Sequence, residues 1–340
     1  MTAVVLLGDV PSTGIFRDMP GPVTVPMPPD LSPGGADAFL DLAAGELAAE
    51  AAVVVLFPAW RSHTAARLIG LARGALRTDR IAGVPIDLPP LALALVADQL
   101  AFLAPHVTPG ALTGAALRLP GRTIAGAWLR TVAGLEHVTA GVGAHVRSYL
   151  PQAAFVASVA PRRGVHRITP TAPAPEFGES PEPPVLVLAT TENGDVHWPD
   201  RGLVPALGAS SLTRLPAQPL SAEYWGTRKY VEFVAFSGHP QALPSTVKGI
   251  AYVTCAWCGE LTASPRCAFC AMAGLVTDPS AADPPRRMAP APPAEPPLST
   301  GPPPVSPAPP RTPREHAPVD VLVGDLPPSA LMRAQPLVPY

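Results

Sequence analysis

Four cysteines, the only ones in the chain, stand within sixteen residues as two paired steps, Cys255-Ala-Trp-Cys258 and Cys267-Ala-Phe-Cys270. Each C-x-x-C can fold its backbone so that both sulfurs face one point. Two such knuckles make a tetrahedral four-thiolate site, the usual choice for zinc. Gly259 follows the first knuckle and can supply the positive φ a tight knuckle needs. Four thiolates leave no open position, so the expected metal, Zn2+, is structural rather than catalytic. Iron in the same donor set is the next alternative. A redox dithiol is the weaker one, because that chemistry expects a single C-x-x-C on a thioredoxin-like unit. Clustered cysteines at this spacing read as a metal site, not a disulfide framework, and point to a reducing, cytoplasmic location.

Residues 252–272, with two C-x-x-C knuckles, a glycine after the first and a short β-type spacer, resemble the short zinc ribbons of many bacterial proteins. The resemblance implies a structural site used for protein or nucleic-acid contact. Lys248, Arg266 and Glu260 give the ribbon only a weak field for phosphate. Net charge is −2 and only Lys229 and Lys248 are lysines, which argues against a broad nucleic-acid-binding face. Nucleic acid therefore stays a secondary option through the ribbon alone.

A second constellation depends on fold. Residues 1–168 alternate strand-like and helix-like segments. Strands are expected at 4–7, 53–57, 81–86 and 155–159, and helices over 36–50, 62–77, 90–103 and 140–149. Two further helix starts are read at 108–109 and 120–123. This order predicts a layered α/β domain with a mostly parallel sheet. Ligands of open α/β sheets bind at the carboxyl ends of the strands. The residues there are Asp9, Arg61, Ser62, His63 and Asp87, the candidate catalytic set of an enzyme reading. Four also have an ordinary account: Ser62 as a cap, Asp9 and Asp87 as turn residues, and His63 as a first-turn surface group.

A proline-rich linker is expected at 169–183. A β-rich region follows over 184–250, with a hairpin turn at Asn193-Gly194 and strands at 185–188, 196–198, 230–236 and 247–254. The zinc ribbon occupies 251–274. Of the 49 prolines, 20 lie between Pro279 and Pro339. Such a segment buries too little apolar surface to offset its ordering entropy. Residues 275–318 are therefore expected as a disordered spacer.

Residues 319–340 regain apolar content and form a possible docking peptide. VLVGDLPPSALMRAQP at 321–336 matches VLLGDVPSTGIFRDMP at 5–20 at seven of sixteen positions. Biased composition can produce such a match. Alternatively the tail copy adds as a strand to a sheet edge, in its own body or a second protomer. Its Val321–Leu326 pattern also resembles the cargo-loading peptides of encapsulin shells, without their usual serine after glycine. No membrane span is expected: the apolar stretch 88–105 carries Asp98 and Gln99 and opens on Pro89-Pro90, as a buried helix would.

The fold class expected is thus α/β: a layered N-terminal domain, then a β-rich region carrying a zinc ribbon, then a disordered tail. The function expected is a binding or assembly module. It would act through the β/zinc region and the tethered peptide, with a protein partner or self-association through 319–336. The alternative is an α/β enzyme whose site lies at the strand ends, with zinc purely structural.

Overall fold

The computed structural model describes residues 2–16, 21–27, 36–49, 51–148 and 153–273. The proline-rich spacer, the docking peptide and with it the second copy of the repeat lie outside the described residues.

Two sheets divide the molecule. The first is fully parallel, in the order β2-β1-β3-β4. Its strands are β1 (Thr2–Leu7), β2 (Val23–Val25), β3 (Ala52–Pro58) and β4 (Ile81–Ile86). β3 is buried throughout, as a strand covered on both faces must be, and its run of apolar residues reflects this. One face packs on α1 (Asp37–Ala48) and α2 (Ser62–Leu76). The other packs on α3 (Pro90–Leu103) and α4 (Pro109–Arg118). Every residue of α3 is buried, Asp98 and Gln99 included, so this mostly apolar helix is covered all round.

The second sheet has the order β7-β6-β5-β10-β8-β9. Its strands are β5 (Ile124–Leu129), β6 (Ala154–Ala160), β7 (Gly164–Ile168), β8 (Val185–Glu192), β9 (Ser211–Leu215) and β10 (Tyr230–Ser237). All pairings are antiparallel except β8 with β9. A six-residue helix, α5 (Val142–Arg147), lies between β5 and β6. The inner face packs on α3, so α3 is sandwiched between the sheets. The outer face carries Trp128, Phe233 and Trp198 beside α6 (Val204–Leu207).

The mixed α/β class with a parallel N-terminal sheet is the one expected. Several local expectations change. Residues 124–129 are a buried strand, not the start of a helix. No hairpin forms at Asn193, although its φ of 48° is the one such a turn uses. The chain enters a helical turn at Pro199–Leu203 instead, and β8 finds β10 and β9 as neighbours. The expected strand at 247–254 is replaced by α8 (Ala242–Lys248) and a two-residue strand, β11 (Val253–Thr254). The segment 169–183 joins β7 to β8 inside one sheet.

Candidate functional site

The four cysteines come together as their spacing predicts. Their Sγ atoms lie within 4.8 Å of one another, with Cys255–Cys270 and Cys258–Cys267 each at 3.6 Å. A tetrahedron with metal–sulfur bonds of about 2.3 Å has edges of about 3.8 Å, so the donor set fits one soft divalent ion. The two knuckles repeat one backbone pattern. Gly259 N–H donates to Cys255 C=O and Ala271 N–H to Cys267 C=O, both at 2.9 Å. Gly259 and Ala271 carry positive φ, 80° and 60°. β11 pairs with β12 (Leu261–Thr262) between the knuckles.

The ribbon is an attachment to the body. Phe269 is fully buried. Tyr252 Oη donates to the Ala111 carbonyl of α4 at 3.2 Å. A Cβ at Gly110 would stand 2.3 Å from the Leu261 carbonyl oxygen, and one at Gly114 2.6 Å from the Tyr252 ring. Beside the cluster, burial lowers the Arg73 guanidinium, while the Cys267 and Cys270 thiolates act in the opposite sense.

The five strand-end candidates divide: Arg61 and Asp87 sit in ion pairs whose members Glu223, Asp87 and Arg163 all act on His137, whereas Asp9, Ser62 and His63 are exposed. Arg61 pairs with Glu223 of α7 (Ser221–Trp225) at 2.5 Å. Asp87 pairs with Arg163, between β6 and β7, also at 2.5 Å. Both pairs tie the parallel half to the second sheet. Ser62 opens α2 and His63 follows it, both exposed, and Asp9 is exposed beyond β1. Their ordinary roles, in turns, surface and ion pairs, account for them.

Sequence reasoning missed two polar features. The first is at the seam. Glu232 of β10 is fully buried on the inner face. Its carboxyl accepts from Leu91 N–H at 2.7 Å and from Ser221 Oγ–H. Pro90 has no N–H, so Leu91 supplies the first available donor of α3, where helix donors have no partner of their own. Burial pushes the Glu232 carboxyl up to about 7, against the pull of these hydrogen bonds. The charged residue inside the apolar run YVEFVAF was the signal available.

The second feature is a cavity of about 670 Å³ on the outer face of the six-stranded sheet. Trp128, Ala154, Ile168 and Trp198 give it apolar walls, and Arg130 and Arg201 bring positive charge. Trp198 Nε1 donates to the Pro173 carbonyl at 2.7 Å. Arg130 donates to the Ala153 carbonyl, and Arg201 pairs with Asp195 at 2.5 Å. These residues come from distant parts of the chain, so no local motif marks them. The cavity has the size of ordinary small-molecule sites, about 300–1,000 Å³.

No family model matches the chain, and no curated protein matches it in sequence. Solved structures do match its fold. A fat acid (stearic acid)-binding protein from Eubacterium ventriosum superposes with a TM-score of 0.50 at 11% identity, over 70% of this chain and 98% of that one. A DegV family protein from Thermus thermophilus, described by its fatty acid binding, gives 0.49 at 13% identity over 69% and 99%. A DegV family protein from Corynebacterium glutamicum gives 0.48 at 12% identity over 70% and 98%. This chain thus shares an α/β fold with the Eubacterium ventriosum protein.

That finding corrects the functional expectations. The Eubacterium ventriosum protein of this fold is described as a stearic acid-binding protein, so the expected zinc-ribbon assembly module is withdrawn, and with it the α/β enzyme. The ribbon is a small attachment on a larger body, which is why its motif overstated its share of the molecule. The expected partners fall with that reading: a protein or second copy held through 319–336, and nucleic acid held through the ribbon. Among the described residues no helix is long and apolar enough to cross a membrane.

Proposed function

We propose that this chain binds an amphipathic acid of the fatty-acid class in the cavity on the outer face of the six-stranded sheet. The observation that carries this reading is the pairing of apolar walls with guanidinium groups in one space of about 670 Å³. Trp128, Ile168 and Trp198 suit an acyl chain. Arg130 or Arg201 suits its carboxylate, because guanidinium presents paired donors in carboxylate geometry. The fold shared with the stearic acid-binding protein supports the same ligand class. Each methylene removed from water contributes about 0.8 kcal/mol, so affinity should rise with chain length until the cavity is full.

The four thiolates hold one structural zinc in this reading, through Cys255, Cys258, Cys267 and Cys270. Their tight cluster and closed donor set support it. Four cysteines free of disulfides suit a reducing, cytoplasmic compartment. Elemental analysis of purified protein should give one zinc per chain, and Cys258→Ser should lower it.

The test of ligand binding is calorimetric titration of delipidated full-length protein with stearate and with shorter saturated acids. One saturable site is expected, tighter for longer chains. Ala154→Phe, which fills the cavity, should abolish it while leaving metal content and circular dichroism unchanged. A wild-type protein that is folded and metal-loaded yet binds none of these acids would overturn the proposal.

A further inference from the structure

β4 ends the parallel sheet, so among the described residues one side of it has no strand partner. Open strand edges present unpaired backbone groups and are ordinarily blunted. Three features blunt this one. Gly83 N–H donates to the Ala268 carbonyl at 3.0 Å. The Ile81 carbonyl accepts from Arg73 Nε at 2.8 Å. Pro85, next in the same alternation, has no N–H to offer.

Two of these three converge on one turn of the ribbon. Ala268 stands between Cys267 and Cys270, inside the second knuckle. Its carbonyl accepts from Gly83 and also from Arg73 Nη2 at 2.6 Å. Arg73 lies in the last turn of α2 and is half-buried. One guanidinium thus ties helix, sheet edge and knuckle together. It also faces the cluster, which carries a net charge of −2 when four thiolates hold a divalent ion.

We propose that Arg73 is the outer-sphere anchor of the metal centre. It holds the second knuckle on the β4 edge, so that metal affinity and closure of that edge are one coupled property. The inference rests on the metal reading above. Its physical basis is twofold. A positive charge beside a dianionic centre stabilises the loaded state. A knuckle already fixed on the sheet also loses less freedom when the metal closes it. Outer-shell partners of metal sites typically contribute about 10- to 100-fold in affinity. Coupling is reciprocal, so metal removal should loosen the β4 edge just as loss of Arg73 should loosen the metal.

A simpler role competes: Arg73 could serve only as a favourable charge at the end of α2. That role predicts lower stability with unchanged metal affinity. The experiment compares full-length wild type, Arg73→Ala and Arg73→Lys. Zinc affinity is read by competition with a chromophoric chelator, and exchange of the Gly83 amide by hydrogen exchange. Arg73→Ala should lose about 10- to 100-fold in affinity. In the zinc-loaded variant Gly83 should exchange as fast as in metal-stripped wild type. Arg73→Lys keeps the charge but not the planar fork that reaches both carbonyls, and should fall between the two. If Arg73→Ala does not fold, Arg73→Lys carries the test. Wild-type affinity in the folded variants, or a Gly83 amide still protected without metal, would overturn the anchor while leaving the zinc site standing. A wild-type protein that takes up no zinc would overturn the zinc reading itself, and the anchor with it.

Discussion

Glu232 is the most deeply buried carboxyl among the described residues. Its carboxyl accepts from Leu91 N–H and Ser221 Oγ–H, with the Trp225 side chain also acting as a donor that favours the charged form. Burial disfavours the charged form, and the value rises from an ordinary 4.5 to about 7. Asp98 of α3 is raised in the same way by burial, against hydrogen bonds from Thr13 and Ser12. The linkage sign follows. A carboxyl whose folded value lies above its unfolded one holds its proton in the native state through that window. Its contribution is fully present below about pH 4.5 and is lost as pH rises through about 7. For Glu232 that amounts to about 3 kcal/mol. Urea unfolding of the wild type should show stability falling from pH 5 to pH 8, and Glu232→Gln should flatten the fall. An equally steep decline in the variant would assign the pH dependence elsewhere. The cysteines were legible because ligand spacing is a local property of the chain. Glu232 was written as plainly, but its meaning depended on which strand face meets α3.

Elements were read well where one pattern dominated. The continuous apolar run of β3 and the proline-led, largely apolar α3 stand where expected. Errors fell where local signals were true but incomplete. Pro120 does begin a helical turn at Leu119–Arg122, yet it ends within four residues and β5 follows. Asn193 takes the turn conformation, but tertiary pairing gives β8 other partners. α4 carries information that composition hides. Gly110 and Gly114 lie four apart, on the side where Leu261 and Tyr252 approach. A methyl group at position 110 meets backbone, which cannot rotate away as a side chain can. Gly110→Ala should therefore push the ribbon off α4, with a cost of about 1–3 kcal/mol typical of overpacking. Gly121→Ala, where nothing stands nearby, is the control. Thermal unfolding of zinc-loaded protein would separate them, and equal stability of the two variants would show that the ribbon is not seated on α4.

At the scale of the molecule, the question is how many independent folding units the chain contains. The largest core joins Leu6 and Leu56 of the parallel sheet, Leu95 of α3, Leu129 and Tyr230 of the second sheet, and Phe269 of the ribbon. A boundary at residue 168 would separate β5, β6 and β7 from β10 and β8, although β5 pairs with β10 along its whole length. The proline-rich segment 169–183, expected as a linker, joins β7 to β8 of one sheet, and a loop inside a sheet carries the same composition as one between domains. Sequence separation hides the pairing, because β5 meets β10 about a hundred residues later. A fragment of residues 1–168 would expose the inner face of α3 and leave β5 as an unpaired apolar edge, a template for aggregation. It should fail to fold alone. The full chain should unfold in one transition, with far-ultraviolet dichroism and tryptophan fluorescence coincident. Stearate should raise that single midpoint by mass action, although its cavity lies on the face of the second sheet turned away from α3. Two separated transitions, with only the later-melting or only the earlier-melting one moved by ligand, would mean that the shared core does not bind the two sheets into one cooperative body.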